Sequence, residues 1–262
     1  MAETTSYGVR ISYDDRGQGE PALIMLPGWC GSRRVFEPLL SRCGKRRRVL
    51  ALDWRGHGES ERVTSDFGIG HLVEDTLSVI EVSGATQVVP VALSHAGWVA
   101  IELRRRLGKR IAKLVLLDWI VTAGPPNMMQ VLQGLQSPSE WERTRDALFE
   151  GWLNGVEVPA LTRYVREDMG SYGFDMWARA GREIAAAYAN YGSPMNIMAP
   201  LGESMPVLHL YAQPDDPAYL ARQQAFSEKH PWFQVRKLAA RSHFPMLEVP
   251  DEIAQAIEDF VG

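Results

Sequence analysis

Cysteine is scarce in this chain: Cys30 and Cys43 are the only thiols in 262 residues. No disulfide framework of the kind that staples small secreted domains can be drawn from two cysteines 13 positions apart. Basic charge is not in excess, because 28 Lys and Arg stand against 32 Asp and Glu for a net charge of −4. That balance excludes the electrostatic footprint of a nucleic-acid binder. No run approaches the roughly 18 apolar residues of a membrane span. Met1-Ala2-Glu3-Thr4-Thr5 has neither the basic n-region nor the apolar h-region of a secretory leader. The six histidines contain no H-x-x-x-H and the cysteines no C-x-x-C, so metal-ligand spacing is missing. The glycine patterns that cradle nucleotide phosphates are missing too. With 45% hydrophobic residues the chain is not disordered. These exclusions leave a globular protein, expected in the cytoplasm with reduced thiols. Two residue types are plentiful: 8 Trp and 10 Met.

Short apolar runs alternate with helical patterns. Ala22–Leu26, Val49–Leu52, Val88–Leu93, Leu114–Leu117 and Val207–Leu210 are rich in Val, Ile and Leu, which predicts strands buried on both faces. Pro90 weakens the third run, since proline lacks a ladder donor, yet the residues after it suit a strand-to-helix turn. Tyr7 to Tyr13 alternates with period 2 and reads as an antiparallel edge strand, with a turn from Asp14 to Gly19. A last short strand is expected near Val235 to Leu238. Helices are expected over His71–Val82, ended by Gly84, and over Trp98–Leu107 and Asp251–Phe260. Strand and helix in alternation predict an α/β fold with a mostly parallel sheet flanked by helices.

The alternation breaks between Val121 and Met205. That stretch opens with the breaker Gly124-Pro125-Pro126-Asn127 and carries Trp, Met and Tyr at helical spacing without strand-like runs. It reads as a helical cap over the strand ends. The expected organisation is a core of residues 1–120 and 206–262, with a cap of residues 121–205 inserted after the sixth strand.

Ser94 follows the strand Val88–Leu93 and precedes a helix, in Ala92-Leu93-Ser94-His95-Ala96-Gly97. That is the place of a nucleophile elbow, with Ala92 and Ala96 in the usual glycine positions and Gly97 one place later. The plainer reading of Ser94 alone is a helix-capping serine. His243, in Ser242-His243-Phe244-Pro245, lies before the last helix and can reach back toward Ser94; imidazole suits a general base. A lone loop histidine is more often simply hydrogen-bonded, but the serine and histidine together favour a site. The base needs an orienting carboxylate. Asp118 ends the fourth apolar run, whereas Asp215 and Asp216 follow the next one, the commoner place for the acid in α/β-hydrolases. Position alone favours the later pair, with Asp216 before Pro217 reading as a turn residue. The loop Pro27-Gly28-Trp29-Cys30-Gly31 suits an oxyanion hole, with one backbone N–H from the loop and one from His95. Asp53-Trp54-Arg55-Gly56-His57-Gly58 reads chiefly as a structural turn.

Taken together these motifs resemble one branch of the α/β-hydrolase fold, the cofactor-independent 3-hydroxy-4(1H)-quinolone 2,4-dioxygenases. The resemblance rests on Leu26-Pro27-Gly28-Trp29-Cys30, Asp53 to His57, Ser94-His95, Asp118-Trp119, Trp152, Met176-Trp177 to Gly192-Ser193-Pro194, and Ser242-His243-Phe244-Pro245. It implies that the acid is Asp118, that Asp118 and His243 form the catalytic dyad, and that Ser94 binds substrate oxygens. It implies further that Trp29, Cys30, His95 and Trp152 line the substrate site. The chain departs from the family pattern after Cys30, where Gly31-Ser32-Arg33-Arg34 replaces a stretch that often contains histidine. Neither a cofactor nor a metal is implied, with dioxygen as co-substrate. The implied partners are a small aromatic heterocyclic substrate and dioxygen, acted on by a monomer or homodimer, with no nucleic acid and no membrane. Met128, Met129 and Met195 could line a channel for a 2-alkyl chain, although methionines at helical spacing are more often plain core. A serine hydrolase using Ser94, His243 and Asp118 or Asp215 is the alternative, and a ligand-binding receptor that kept the pocket is a third reading.

Overall fold

The computed structural model describes residues 1–201 and 205–262. Its core is one eight-stranded sheet formed by β1 (Ala2–Ser6), β2 (Val9–Arg16), β3 (Ala22–Leu26), β4 (Val49–Leu52), β5 (Val88–Leu93), β6 (Leu114–Leu117), β7 (Val207–Tyr211) and β8 (Phe233–Lys237). The spatial order is β1-β2-β4-β3-β5-β6-β7-β8. From β4 to β8 every pairing is parallel, and only β1–β2 and β2–β4 are antiparallel. All residues of β3 to β7 are buried, the burial that continuous apolar strands require. β8 closes one edge with an alternating pattern whose Arg236 and Lys237 discourage further pairing. Pro90 stands opposite Ile24 of β3, and the β5–β6 ladder begins only at Val91, so the missing donor does not interrupt it.

The N-terminal segment differs from the sequence expectation. Tyr7 to Tyr13 is not a single edge strand. Tyr7 and Gly8, at φ 48° and 80°, form the two-residue turn of a hairpin, the geometry that suits twisted antiparallel strands. β1 takes the edge, and β2 continues to Arg16, through part of the expected turn.

Helices α1 (Glu37–Cys43), α2 (Ile69–Ser83), α3 (Ala96–Leu107), α9 (Pro217–Lys229), α10 (Pro245–Glu248) and α11 (Pro250–Val261) belong to the core. α1 packs on α11, and α2 on α3. Gly84 ends α2 at φ 69°, the left-handed conformation glycine adopts without steric cost. Between β6 and β7 lie α4 (Met128–Leu135), α5 (Trp141–Leu153), α6 (Pro159–Arg163), α7 (Phe174–Tyr191) and α8 (Pro194–Met198). α4, α5 and α7 pack on one another. Residues 202–204, at the end of the expected cap span, lie outside the described residues. The helical layer is fixed to the core by polar contacts. Tyr164 Oη accepts the Ser32 N–H at 3.1 Å, Glu183 accepts the Ile69 N–H at 2.9 Å, and Asp66 pairs with Arg179 and Arg182.

Candidate active site

Among the described residues five non-glycine residues have positive φ, and three of them sit in the turns just beyond β3, β5 and β6: Cys30 at 55°, Ser94 at 53° and Asp118 at 44°. Left-handed backbone is costly for an L-residue, and such strain clusters where a fold must aim a side chain. At Ser94 the turn is held by its N–H on the Leu117 carbonyl at 2.8 Å and by the Gly97 N–H on its own carbonyl at 3.0 Å.

The two candidate acids differ in what their carboxylates touch. Asp118 is fully buried, and its Oδ2 accepts from His243 Nδ1 at 2.7 Å. Its Oδ1 accepts the Ala212 N–H at 2.5 Å and the Gln213 N–H at 2.9 Å. Both carboxylate oxygens are thus committed, which fixes the imidazole; His243 lines the cavity, and no hydrogen bond among the described residues uses its Nε2. The carboxylate of Asp215, by contrast, is 81% exposed and pairs with Lys237 at 2.9 Å. Asp216 caps α9 by accepting the Ala218 N–H. Among the described residues no hydrogen bond joins the Ser94 hydroxyl to His243.

The loop after β3 is held from beneath. Trp54 Nε1 donates to the Pro27 carbonyl at 2.8 Å, and His57 Nε2 accepts the Cys30 N–H at 3.1 Å. His57 Nδ1 donates to the Arg55 carbonyl at 2.9 Å, which fixes the neutral tautomer, and burial pushes its pKa down to about 4. With the Cys30 N–H taken, the Trp29 and His95 N–H groups remain as donors; no hydrogen bond among the described residues uses either. Burial likewise pushes the His95 side chain down to about 3, and its Nδ1 has no partner. Arg33, in the stretch that departs from the family pattern, is buried in ion pairs with Asp14, Asp53 and Glu59 and is absent from the cavity wall.

These groups open into a cavity of about 500 Å³, within the size range of small-molecule sites. Trp29, Ser94, His95, Asp118, Trp152 and His243 all line it. The Trp152 indole stacks on His243 with centroids 5.3 Å apart at 22°, and on Trp177 at 6.3 Å. Two expectations are corrected here. Cys30 does not line the cavity: its thiol is fully buried, so the strained backbone is what this residue brings to the site. Of the three methionines, only Met128 reaches the wall; Met129 is 40% exposed and Met195 is buried elsewhere. The apolar wall is built from Ile120, Val131, Leu132, Leu135, Leu148 and Ile184. Gln213 and Tyr164, which the sequence reading passed over as site residues, and Trp177 and Phe244, which it quoted as motif residues without a role at the site, also line the cavity. Gln213 beside Pro214 looks like an ordinary turn, and the helical spacing of Trp177 does not say which way it faces.

The sheet order, the serine elbow after β5 and the acid beyond β6 define an α/β hydrolase fold, and the profile of the Alpha/beta hydrolase family matches residues 23–256. Full-length relatives are more specific. The chain is 38% identical over 98% of its length, and 97% of the other, to 2-heptyl-3-hydroxy-4(1H)-quinolone dioxygenase of Mycobacteroides abscessus. It is 40% identical, at the same coverage of each chain, to 2-heptyl-3-hydroxy-4-quinolone dioxygenase AqdC2 of Rhodococcus erythropolis. Among solved structures, AqdC in complex with the product of Pseudomonas quinolone signal ring cleavage superposes with a TM-score of 0.94, at 37% identity over 100% of both chains. 1H-3-hydroxy-4-oxoquinoline 2,4-dioxygenase superposes with 0.95, at 32% identity over 100% of both. The chain belongs to the α/β-hydrolase family and, within it, to the 3-hydroxy-4-quinolone 2,4-dioxygenases. No helix among the described residues is long and apolar enough to cross a membrane.

Proposed function

We propose that this protein cleaves the heterocyclic ring of a 2-alkyl-3-hydroxy-4(1H)-quinolone with dioxygen, releasing carbon monoxide and an N-acylanthranilate, and that it needs no metal or organic cofactor. The observation that carries the reading is the pair Asp118–His243, bonded at 2.7 Å beneath an apolar, aromatic-walled cavity, in a chain whose full-length relatives are quinolone dioxygenases. His243 Nε2 takes the proton of the 3-hydroxyl, and Asp118 steadies the imidazolium that results. The electron-rich quinolone anion passes one electron to dioxygen, and the radical pair combines to form a C–O bond at C2. The distal peroxide oxygen then attacks C4. The resulting ring opens with cleavage of the C2–C3 and C3–C4 bonds and of the O–O bond. C3 leaves as carbon monoxide, C2 becomes the acyl carbon and C4 the carboxylate, so both oxygen atoms end in the organic product.

The substrate anion is itself the reductant; the protein supplies base, orientation and charge stabilisation. The Trp29 and His95 N–H groups suit the negative charge that develops on the C4 oxygen, and the Ser94 hydroxyl suits the neighbouring substrate oxygens. Trp152 packs over the ring and excludes water that would solvate the anion. The aliphatic wall of α4 and α7 suits the 2-alkyl chain. The test is oxygen uptake with carbon monoxide detection on metal-free protein, using 2-heptyl-3-hydroxy-4(1H)-quinolone. Stoichiometric uptake and release is expected; no uptake, together with turnover of aryl esters, would overturn the reading.

One observation favours a second reading. Ser94 occupies an elbow of the geometry that serves serine hydrolases. That reading requires labelling of Ser94 by a fluorophosphonate and complete loss of activity in Ser94→Ala.

A further inference from the structure

The last turn of any α-helix leaves carbonyls without intrahelical partners, and in α5 two of these are met by the core. The Trp152 carbonyl accepts the backbone N–H of His243 at 2.9 Å. The Gly151 carbonyl accepts from Gln213 Nε2 at 2.9 Å. The helix that carries the indole over the base therefore ends on the segment that carries the base.

Gln213 reaches further. The same Nε2 donates to the Arg241 carbonyl at 2.8 Å, two residues before His243. A primary amide has two N–H donors, and the shorter contacts are those to the Gly151 and Arg241 carbonyls, with the Trp152 carbonyl further off at 3.5 Å. Asn154, in the left-handed cap of α5, adds a second donor to the Arg241 carbonyl at 3.1 Å. The main-chain N–H of Gln213 is meanwhile one of the two that hold Asp118 Oδ1. Through backbone and amide, one residue touches the acid, the strand of chain leading to the base, and the helix carrying the stacked indole.

We propose that Gln213 is a positioning residue that locks α5 and the His243 segment together, so that the placement of the Trp152 indole and the orientation of the base are set by one side chain. The inference rests on the dioxygenase reading above. Substitution of the side chain leaves the two N–H donors to Asp118 in place, so any loss belongs to the amide. Gln213→Leu keeps the approximate size and removes both donors. Gln213→Glu sets a carboxylate against two carbonyl oxygens.

The test reads substrate ionisation apart from turnover. Hydroxyquinolones absorb at longer wavelength when ionised, so anaerobic spectra of bound 2-heptyl-3-hydroxy-4(1H)-quinolone report how much the base has deprotonated. Wild type is expected to show the ionised form. Both variants are expected to show it reduced several-fold, with kcat down about 10-fold and KM changed less than about 3-fold, a loss consistent with a misplaced catalytic group. An ionised fraction and kcat within twofold of wild type in folded Gln213→Leu would overturn the proposal, as would a fall in kcat with no change in ionisation. Wild type with neither ionised substrate nor oxygen uptake would instead sink the functional reading. Should both variants fail to fold, hydrogen exchange on wild type decides: the His243 amide must exchange together with the end of α5, and independent, fast exchange at His243 overturns the lock.

Discussion

The imidazole of His57 accepts the backbone N–H of Cys30 while donating to the Arg55 carbonyl, so a buried histidine outside the cavity holds the strained turn beside Trp29. A proton on Nε2 would set two donors face to face. Burial already opposes it, holding the pKa at about 4 in the folded chain, against about 6.5 for a free imidazole. His209 in β7 is similar: its Nδ1 faces the Gln223 side-chain oxygen at 2.5 Å, and burial pushes its pKa down to about 4.

A pH dependence follows with a definite sign. Between pH 6.5 and 4 the unfolded chain takes up protons at these histidines that the folded chain refuses. Their contribution to stability is complete above about pH 7 and is lost as pH falls through that window. Each histidine contributes a slope approaching about 1.4 kcal/mol per pH unit. Urea denaturation at pH 7 and pH 5 measures it. His57→Gln, which keeps an acceptor for Cys30, is expected to be about 2 kcal/mol less sensitive to that change than wild type; equal sensitivity would contradict the buried neutral imidazole.

Substitutions at the site separate the two chemical readings. His243→Ala is expected to lose oxygen uptake almost completely. Asp118→Asn is expected to lose on the order of 100-fold or more, because the amide no longer fixes the imidazole tautomer. Ser94→Ala is expected to keep measurable ring cleavage, since the proposed mechanism has the serine bind without attacking. Asp215→Asn, altering a carboxylate that lines the cavity but is 81% exposed and paired to Lys237, is expected to stay within about twofold of wild type, because no hydrogen bond among the described residues joins it to His243. Steady-state kcat and KM on the four variants check this set, and a Ser94→Ala enzyme as dead as His243→Ala would favour the hydrolase.

The site was partly legible because some of its chemistry depends on the position of a residue along a strand. Ser94 and His243 could be paired from the elements around them. Position along the strands favoured Asp215, and only the family resemblance pointed to Asp118. What separates them is the left-handed turn at Asp118, which carries its carboxylate under His243, and backbone angles of a non-glycine residue leave no mark in sequence. The central strands were readable from burial on both faces. β1 was not, because Ala-Glu-Thr-Thr-Ser at an edge has no continuous apolar run. Methionine spacing gave the right region of the cap but one side chain in three, Met128: periodicity marks a stripe but not which stripe meets a cavity.

Gly97 explains the displaced glycine of the elbow. A Cβ there would fall on the six-membered ring of Trp119, which is fully buried and packs edge-on against Trp98 at 5.0 Å. Both rings are buried, so Gly97→Ala is expected to destabilise the protein by about 2 kcal/mol or more. Because Trp119 follows Asp118, kcat should fall as well. Denaturant midpoints and turnover of the folded variant measure the two effects, and a variant as stable as wild type would mean the indole can shift.

The aliphatic wall sets the last expectation. Leu132 and Leu135 of α4 and Ile184 of α7 line the cavity, whereas the dyad stands among the strand ends of the core. A substrate whose ring meets His243 would send its 2-substituent toward α4 and α7. Leu132→Trp adds volume on the cavity side of that wall, where free space can take it more readily than a packed core can. Turnover of a 2-methyl substrate should then change little, while kcat/KM for the 2-heptyl substrate should fall about 10-fold or more, a discrimination of roughly 1.4 kcal/mol. Wild type should prefer the heptyl chain, because each methylene buried against this wall contributes about 0.8 kcal/mol at most. Comparing the two substrates on both proteins checks the placement, and a uniform loss on both would show that the alkyl chain leaves the cavity by another side.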